Sequence, residues 1–526
     1  MELLPLPASP LLLLTAVVVA AAALLLSAAR FTKSRWPRRY HPVVGTVLHQ
    51  LRYLHKFYHY HTELSRHHKS FRISTAPFHS NVYTSDPAVV EYILRTNFHN
   101  YGKGMLNYEV MKELLGDGIF AVDGSKWRHQ RKLASYEFTT RSLREHSGAV
   151  FKNNAAKLAA AMSEAASSHQ AVEMQLVDGS SQRIPRTQNW FTRSAMDSVF
   201  EVAFGTKLYC LEGSSEENRR FVRALDDATA QINMRYINPF WRLMRFFNIG
   251  MEAALRENIK VVDDLVYKVI HSKVAKMSNQ GSESADAERE DIMSRFLRES
   301  ERDPKTMNHR YLRDISLSFV VAGKDTTGGT MAWFTYMLCK HPSEQEKIAQ
   351  EIRQAVRAPE NATFQDFAER ITEEALGKLQ YLHAALTETM RLYPAVGMDL
   401  KVCFSDDTLP DGFAVNKGET IMYQPYCMGR MTYLWGEDAE DFRPQRWLDE
   451  NGMFCAESPF KFTAFQAGPR ICLGKEFAYR QMKIFWAVLL RFFRFRLRDD
   501  DEPVNCKMSL TLLVEPGIFV HVSNRS

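Results

Sequence analysis

Apolar positions recur along most of this chain at helical spacing, and the departures from that spacing are informative. From Leu11 to Ala29 there is no charged residue, and Thr15 and Ser27 are the only hydroxyls. Coiled as a helix, that run reaches about 28 Å, near the hydrocarbon thickness of a bilayer. Short stretches at Phe71–Ser74, Asn81–Tyr83 and Val402–Phe404 predict strands. A further strand pair is expected on either side of the turn Leu409-Pro410-Asp411-Gly412. The stretch from Glu373 to Pro394 places Leu379, Leu382, Leu386 and Met390 on one face of a single helix, which Pro394 ends. Lys475 to Leu490 reads as another helix. An apolar helix at Ile315–Ala322 resumes at Trp333–Leu338, with Gly323, Gly328 and Gly329 between them. Each glycine weakens a helix by roughly 0.5–1 kcal/mol, so a local distortion is expected there. Ser278–Arg289 is polar and reads as a solvated linker. No internal repeat divides the remainder, which predicts one large body, mainly α with small β-sheets.

Charge gives the apolar run its direction. Only Glu2 precedes it, while Arg30, Lys33, Arg35, Arg38 and Arg39 follow at once. That bias keeps the following chain in the cytosol. A cleaved secretion signal, for which Ser27-Ala28-Ala29 offers small residues, carries its positive charge before the run instead. Residues 1–35 are therefore expected to be a membrane-spanning anchor with a basic stop-transfer cluster, and 36–526 a single tethered domain. Pro37, Pro42 and Gly45 turn the chain away from the membrane. The net charge of +6 comes from 67 Lys and Arg mixed with 61 Asp and Glu. That balance is too mild to argue for nucleic acid. The 7 cysteines are irregularly spaced, with no zinc or disulfide pattern.

One cysteine has unusual company. In Ala464–Phe477, AFQAGPRICLGKEF, Cys472 is surrounded by Gly468, Pro469, Arg470 and Gly474. The glycines allow backbone N–H groups to approach a sulfur closely. The helix beginning near Lys475 puts Cys472 at its N-terminus, where the dipole favours a thiolate. Arg470 can hold a carboxylate of whatever the sulfur binds. A buried inert cysteine requires none of this.

The pattern Phe465-x-x-Gly468-x-Arg470-x-Cys472-x-Gly474 resembles the haem-thiolate loop of the cytochromes P450. Four more motifs resemble that family and fall in its order. They are Trp127-x-x-x-Arg131, Ala322-Gly323-Lys324-Asp325-Thr326-Thr327, Glu388-x-x-Arg391, and Phe442-x-Pro444-x-Arg446-Trp447. The resemblance implies a P450 fold behind the anchor, with Cys472 as axial ligand of the iron of a haem b. Phe465 and Gly474 belong to the same cofactor loop. It further implies that Trp127, Arg131 and Arg470 bind the haem propionates, with Lys401 a weaker candidate. Thr326 and Asp325 serve dioxygen and its protons. Glu388, Arg391 and Arg446 form a buried structural lock. Ala322 has no carboxylate, so the ester link that joins haem to some relatives is not expected.

The resemblance also implies a substrate pocket at Phe120, Phe319, Ala322, Val396, Met398 and Leu512, positions that match the family's substrate-contact segments and are apolar, as suits an aliphatic chain. No flavin or nicotinamide fingerprint occurs. The resemblance therefore implies electrons from NADPH–cytochrome P450 reductase, on a protein of the endoplasmic reticulum membrane facing the cytosol. Arg128, Arg131, Lys132 and Lys475 are candidates to meet that partner. The longer segments Phe98–Gly104, Gly116–Phe138, Met428–Leu448 and Phe462–Phe485 are similar to the plant branch that hydroxylates fatty acids, often at the terminal carbon. Two other functions remain open for such a chain. One is a reductase-independent lipid hydroperoxide isomerase or dehydratase, against which Thr326 and the unmodified cysteine loop argue. The other is a non-catalytic haem protein.

Overall fold

The computed structural model describes residues 50–525, apart from 51, 77–78, 139–140, 168–171, 177–189, 280–290, 303, 305–306, 502–503, 508 and 516. The expected anchor at 1–35 and most of the expected linker lie outside the described residues. Among the described residues no helix is long and apolar enough to cross a membrane.

Helices dominate. In chain order the principal ones are α1 (Phe57–His67), α2 (Gly104–Leu115), α3 (Gly124–Phe138), α4 (Arg141–Ser167) and α5 (Trp190–Phe204). They continue with α6 (Glu216–Met234), α7 (Trp241–Phe247), α8 (Gly250–Asn279) and α9 (Ile292–Arg302). The last are α10 (His309–Lys340), α11 (Pro342–Ala355), α12 (Gln380–Leu392) and α13 (Lys475–Phe492). The strands are β1 (Ser70–Ala76), β2 (His79–Thr84), β3 (Tyr101–Gly102), β4 (Val172–Leu176), β5 (Asp399–Cys403) and β6 (Asp407–Thr408). After them come β7 (Ala414–Val415), β8 (Thr420–Tyr423), β9 (Phe493–Leu497), β10 (Asn505–Lys507), β11 (Leu513–Glu515) and β12 (Gly517–Asn524).

The largest sheet has the order β1-β2-β8-β5-β3, with β2 parallel to β8 and the other pairs antiparallel. Its register sets Asp399 opposite Tyr423 and Lys401 opposite Ile421. Side chains alternate along a strand, so Asp399 and Lys401 share a face of β5. Small sheets β4-β12-β9, β10-β11 and β6-β7 lie apart from it. The last is the pair expected around the Leu409–Gly412 turn. The predicted strand at Val402–Phe404 begins three residues earlier, at Asp399, and ends at Cys403.

α10 runs for 32 residues through the middle of the apolar core. The Asn308 side chain caps it by accepting from the Tyr311 N–H at 3.0 Å. The distortion expected at its glycines is absent, and they have another purpose. A Cβ on Gly323 would lie 2.6 Å from the Val199 side chain, and one on Gly328 only 2.8 Å from Thr192 Cα. Both neighbours are on α5, so the glycines admit a second helix at close range. The single helix expected over Glu373–Leu392 is also two. Leu379 leaves helical geometry at ψ +70° between Glu373–Lys378 and α12. Leu379, Leu382, Leu386 and Met390 are nevertheless all buried. Rings such as Phe334 and Trp486, 4.9 Å apart edge to face, fill the core. Burying each such side chain stabilises the fold by about 1.5–3 kcal/mol.

Candidate active site

The cysteine loop is made by local conformations that few residues adopt. Gly468 has φ +65°, and a Cβ there would collide with the Leu94 carbonyl. Gln466 also has positive φ, at 56°. Gly468–Arg470 forms one 3-10 turn with Pro469 in its first position. The Cys472 N–H then donates to the Phe465 carbonyl at 2.8 Å and closes the loop. Phe465 rests on Tyr479 at 5.2 Å, and Gly474 is the N-cap of α13.

Burial pushes the Cys472 thiol up; the Gly474 N–H, Arg131 and Lys475 all act the other way. The side chain nonetheless keeps accessible area. A group that is enclosed by protein and still accessible lines an internal hollow. α10 presents a matching stripe. Phe319, Ala322 and Thr326, at i, i+3 and i+7, keep accessible area, while Val320, Lys324 and Thr327 are buried.

Donors without acceptors mark the rim. Arg470 lies 4.4 Å over the Trp127 ring and donates to Asp123 at 2.5 Å and to the Val122 carbonyl at 3.1 Å. Its Nε is buried without a partner. Arg131, one turn beyond Trp127 on α3, makes no hydrogen bond or ion pair among the described residues. A thiol facing a hollow, with idle guanidinium donors beside it, fits haem: sulfur for iron, and arginine forks for propionates. Lys401 is wholly buried and turned onto Asp399 at 3.1 Å.

Behind the loop lies a buried charge cluster. Glu388 is gripped by Arg391 through two contacts of 2.7 Å. Arg446 is farther, at 3.4 Å, and also holds the Trp435 carbonyl at 2.7 Å. The expected trio is therefore assembled, but two further donors complete it. Trp447 Nε1 gives 2.8 Å and the Arg443 N–H 2.9 Å to the same carboxylate. Trp447 was legible as part of the Phe442–Trp447 motif, whereas a backbone N–H leaves no signature in sequence.

The oxygen-motif residues differ from expectation in one respect. Thr326 donates to the Ala322 carbonyl at 2.5 Å. Asp325 is not free: it accepts from Lys324 at 2.5 Å, and Lys324 also donates to Asp226 of α6 at 2.5 Å. Burial disfavours the Lys324 ammonium, but the two carboxylates more than restore it. Sequence reasoning passed over Lys324; a lysine inside an apolar helix was the available signal.

Of the expected pocket residues, Leu512 meets the segment after α12 by donating its N–H to the Ala395 carbonyl at 2.8 Å, beside Val396 and Met398. Leu512 is itself buried in the core. Phe120 is exposed, and the Phe319 ring packs against Phe138 at 5.5 Å and Phe296 at 6.0 Å. On α3, Arg128 and Lys132 are exposed and Arg131 is half-buried, as is Lys475 at the start of α13.

Comparison with known proteins agrees with this geometry. The family model described as Cytochrome P450 matches residues 36–522. Cytochrome P450 704C1 of Pinus taeda is 47% identical over 499 residues, covering 92% of each chain. Cytochrome P450 704B1 of Arabidopsis thaliana is 40% identical over 510 residues, 92% of this chain and 94% of its own. Cytochrome P450 86B1 of the same plant is 35% identical over 453 residues, 85% of this chain and 78% of its own.

Proposed function

The chain belongs to the cytochrome P450 family of haem-thiolate monooxygenases, and from that premise we propose that it hydroxylates long-chain fatty acids at or near the terminal carbon. The observation that carries this reading is the similarity of Phe98–Gly104, Gly116–Phe138, Met428–Leu448 and Phe462–Phe485 to the plant fatty-acid hydroxylase branch. Bound haem supplies the oxygen chemistry, placing one atom of O2 into a C–H bond with electrons from NADPH through a reductase.

The residues of the chain do the rest. Cys472 offers its sulfur, with the Gly474 N–H and the α13 N-terminus favouring the thiolate. Trp127, Arg131 and Arg470 hold the cofactor's acids. Thr326 faces the hollow, and rotation about one bond turns its hydroxyl from the Ala322 carbonyl towards it. Lys324 positions the Asp325 carboxylate beside it. Val396 and Met398, with Phe319 and Ala322 of α10, offer an alkyl chain apolar surface. A terminal C–H bond is stronger than its neighbours, so the selectivity comes from presenting the chain end-on.

The test is turnover of a fatty-acid panel by membranes holding this chain, reductase and NADPH, with products located by mass spectrometry. Terminally hydroxylated acids are expected; absence of any NADPH-dependent product overturns the reading. In the same assay Thr326→Ala should retain haem and substrate binding, yet lower product formed per NADPH by about tenfold or more, the rest appearing as peroxide or water. Unchanged coupling would assign proton delivery to Thr327 or water.

Attachment to the endoplasmic reticulum membrane through residues 1–35, with the domain in the cytosol, belongs to the same proposal. α7 and its flanks support it. Phe240, Leu243, Phe246, Phe247 and Ile249 are all exposed, Phe246 by 81%. An apolar patch of this kind suits a lipid surface. Deleting residues 1–35 should give a haem-loading protein that still binds vesicles weakly, and Phe246→Glu with Phe247→Glu should abolish that residual binding. Full-length protein in the soluble fraction would contradict the anchor.

A further inference from the structure

The seam between α2 and α7 holds charge that haem binding leaves unexplained. Arg235, just past α6, is buried there. It donates to Glu252 of α8 at 2.9 and 2.6 Å, to Glu113 of α2 at 2.6 Å and to the Val110 carbonyl at 2.9 Å. α7 adds two exposed arginines, Arg242 and Arg245, which share a face at i,i+3. Each meets α2 through one contact. Arg242 donates to Glu109 at 2.6 Å. Arg245 stands 2.5 Å from Glu113 Oε1, yet not along a hydrogen bond. That oxygen is buried without a donor, and the Arg245 guanidinium makes no hydrogen bond among the described residues.

The charges at this seam do not cancel. Arg235, Arg242, Arg245 and Lys112 are four cations set among three carboxylates, Glu109, Glu113 and Glu252. Arg242 first, then Lys112 and Arg245, hold the Glu109 carboxyl below its usual range against burial. One positive charge is left over. A fourth carboxylate balances the set and strands none of the other three. When Arg242 and Arg245 turn to it, Glu109 keeps Lys112 and Glu113 keeps Arg235. Exposed ion pairs contribute little to stability, so the exchange costs little.

The seam also leads inward. Tyr236, next to Arg235, donates to Asn107 of α2 at 2.6 Å, and Asn107 donates to the Phe120 carbonyl at 3.4 Å. Burial first, then the Asp399 charge, push the Tyr236 phenol up, although the side chain keeps accessible area. Enclosed and still accessible, it faces a hollow on the side of the cysteine loop, whose Gln466 donates to Asp399 at 2.7 Å. Outward, α7 carries the exposed Leu243, Phe246 and Phe247. A fatty acid in a bilayer has its chain in hydrocarbon and its carboxylate at the polar boundary, and α7 divides its own side chains in the same way.

We infer that Arg242 and Arg245 form the site that receives the carboxylate of a long-chain acid, taking it in exchange for Glu109 and Glu113. The inference rests on the fatty-acid reading and deepens it: α7 holds the charged end of the substrate, and the other end goes to the cysteine loop. Arginine suits the task, because its forked donors match a carboxylate.

The experiment is substrate binding to the full, haem-loaded chain, read as the shift of the Soret band. Each protein is titrated with a long-chain fatty acid and with its methyl ester, which keeps the chain and lacks the charge. The double variant Arg242→Gln with Arg245→Gln should bind the acid on the order of tenfold or more weakly, and the ester as wild type does. Glu109→Gln frees Arg242 from its competitor, so it should bind the acid a few-fold more tightly, again with no change for the ester. Damage to the fold does not produce such a gain. Unchanged acid affinity in the double variant, or equal changes for acid and ester in either variant, overturns the proposal. Should the double variant fail to load haem, Glu109→Gln decides: unchanged or weaker binding of the acid overturns the proposal. Failure of the fatty-acid reading itself looks different: neither compound shifts the Soret band of the wild type, and the proposal falls with it.

Discussion

Glu388→Ala is expected to yield no folded, haem-loading protein. The carboxylate has no exposed area and receives Arg391, Arg446, Trp447 and the Arg443 N–H. Removing it leaves the Arg391 guanidinium, itself fully buried, with only carbonyls of Ala439, Asp441 and Gly429. Breaking a buried pair by deleting one partner costs about 3–5 kcal/mol. A folded domain has a margin of about 5–15 kcal/mol, and Trp447 loses its acceptor as well. The damage also reaches the cofactor, because α12 and the Arg443–Trp447 turn stand behind the cysteine loop. Soluble yield, thermal melting and Soret absorbance per protein check this. Wild-type values for all three would mean that the cluster is dispensable. Arg391→Lys is a finer probe: it preserves charge but loses the two-pronged contact, and should lower the melting temperature without abolishing folding.

How much of this was legible in the chain depends on the distance over which each feature acts. Helical periodicity and the Phe71–Ser74 and Asn81–Tyr83 strands are local properties, and they appear where the pattern puts them. So does the start of α13, just after Cys472. The glycines of α10 were misread because their reason is Val199 and Thr192 on another helix, which no local window contains. A helix broken at Leu379 keeps its buried face, so the hydrophobic pattern hides the break. Motif residues were found wherever side chain meets side chain: Trp127 with Arg470, and Glu388 with Arg391. Partners outside the motifs were missed. Asp399 stands two residues before Lys401, on the same face of one strand, and Lys324 directly precedes Asp325. Both were visible as charges in apolar surroundings, but only the fold shows which charge each one meets.

The second large effect concerns Cys472. The other six cysteines have no comparable loop: Cys210, Cys339, Cys403, Cys427 and Cys506 are buried, and Cys455 is exposed away from any glycine-rich turn preceding a helix. Burial draws the thiols of Cys210, Cys339, Cys427 and Cys506 up, to about 11 for the last two. None of these is prepared to ionise. Only Cys472 combines a donor N–H, a helix N-terminus and the approach of Arg131. Cys472→Ala should therefore remove thiolate ligation completely, and no other cysteine can substitute. The decisive measurement is the reduced, carbon monoxide-bound difference spectrum of the full chain and of Cys472→Ala, prepared side by side. The thiolate-type band in the wild type and its complete absence in the variant are predicted. The same band in both proteins would contradict the assignment of this loop as the haem site.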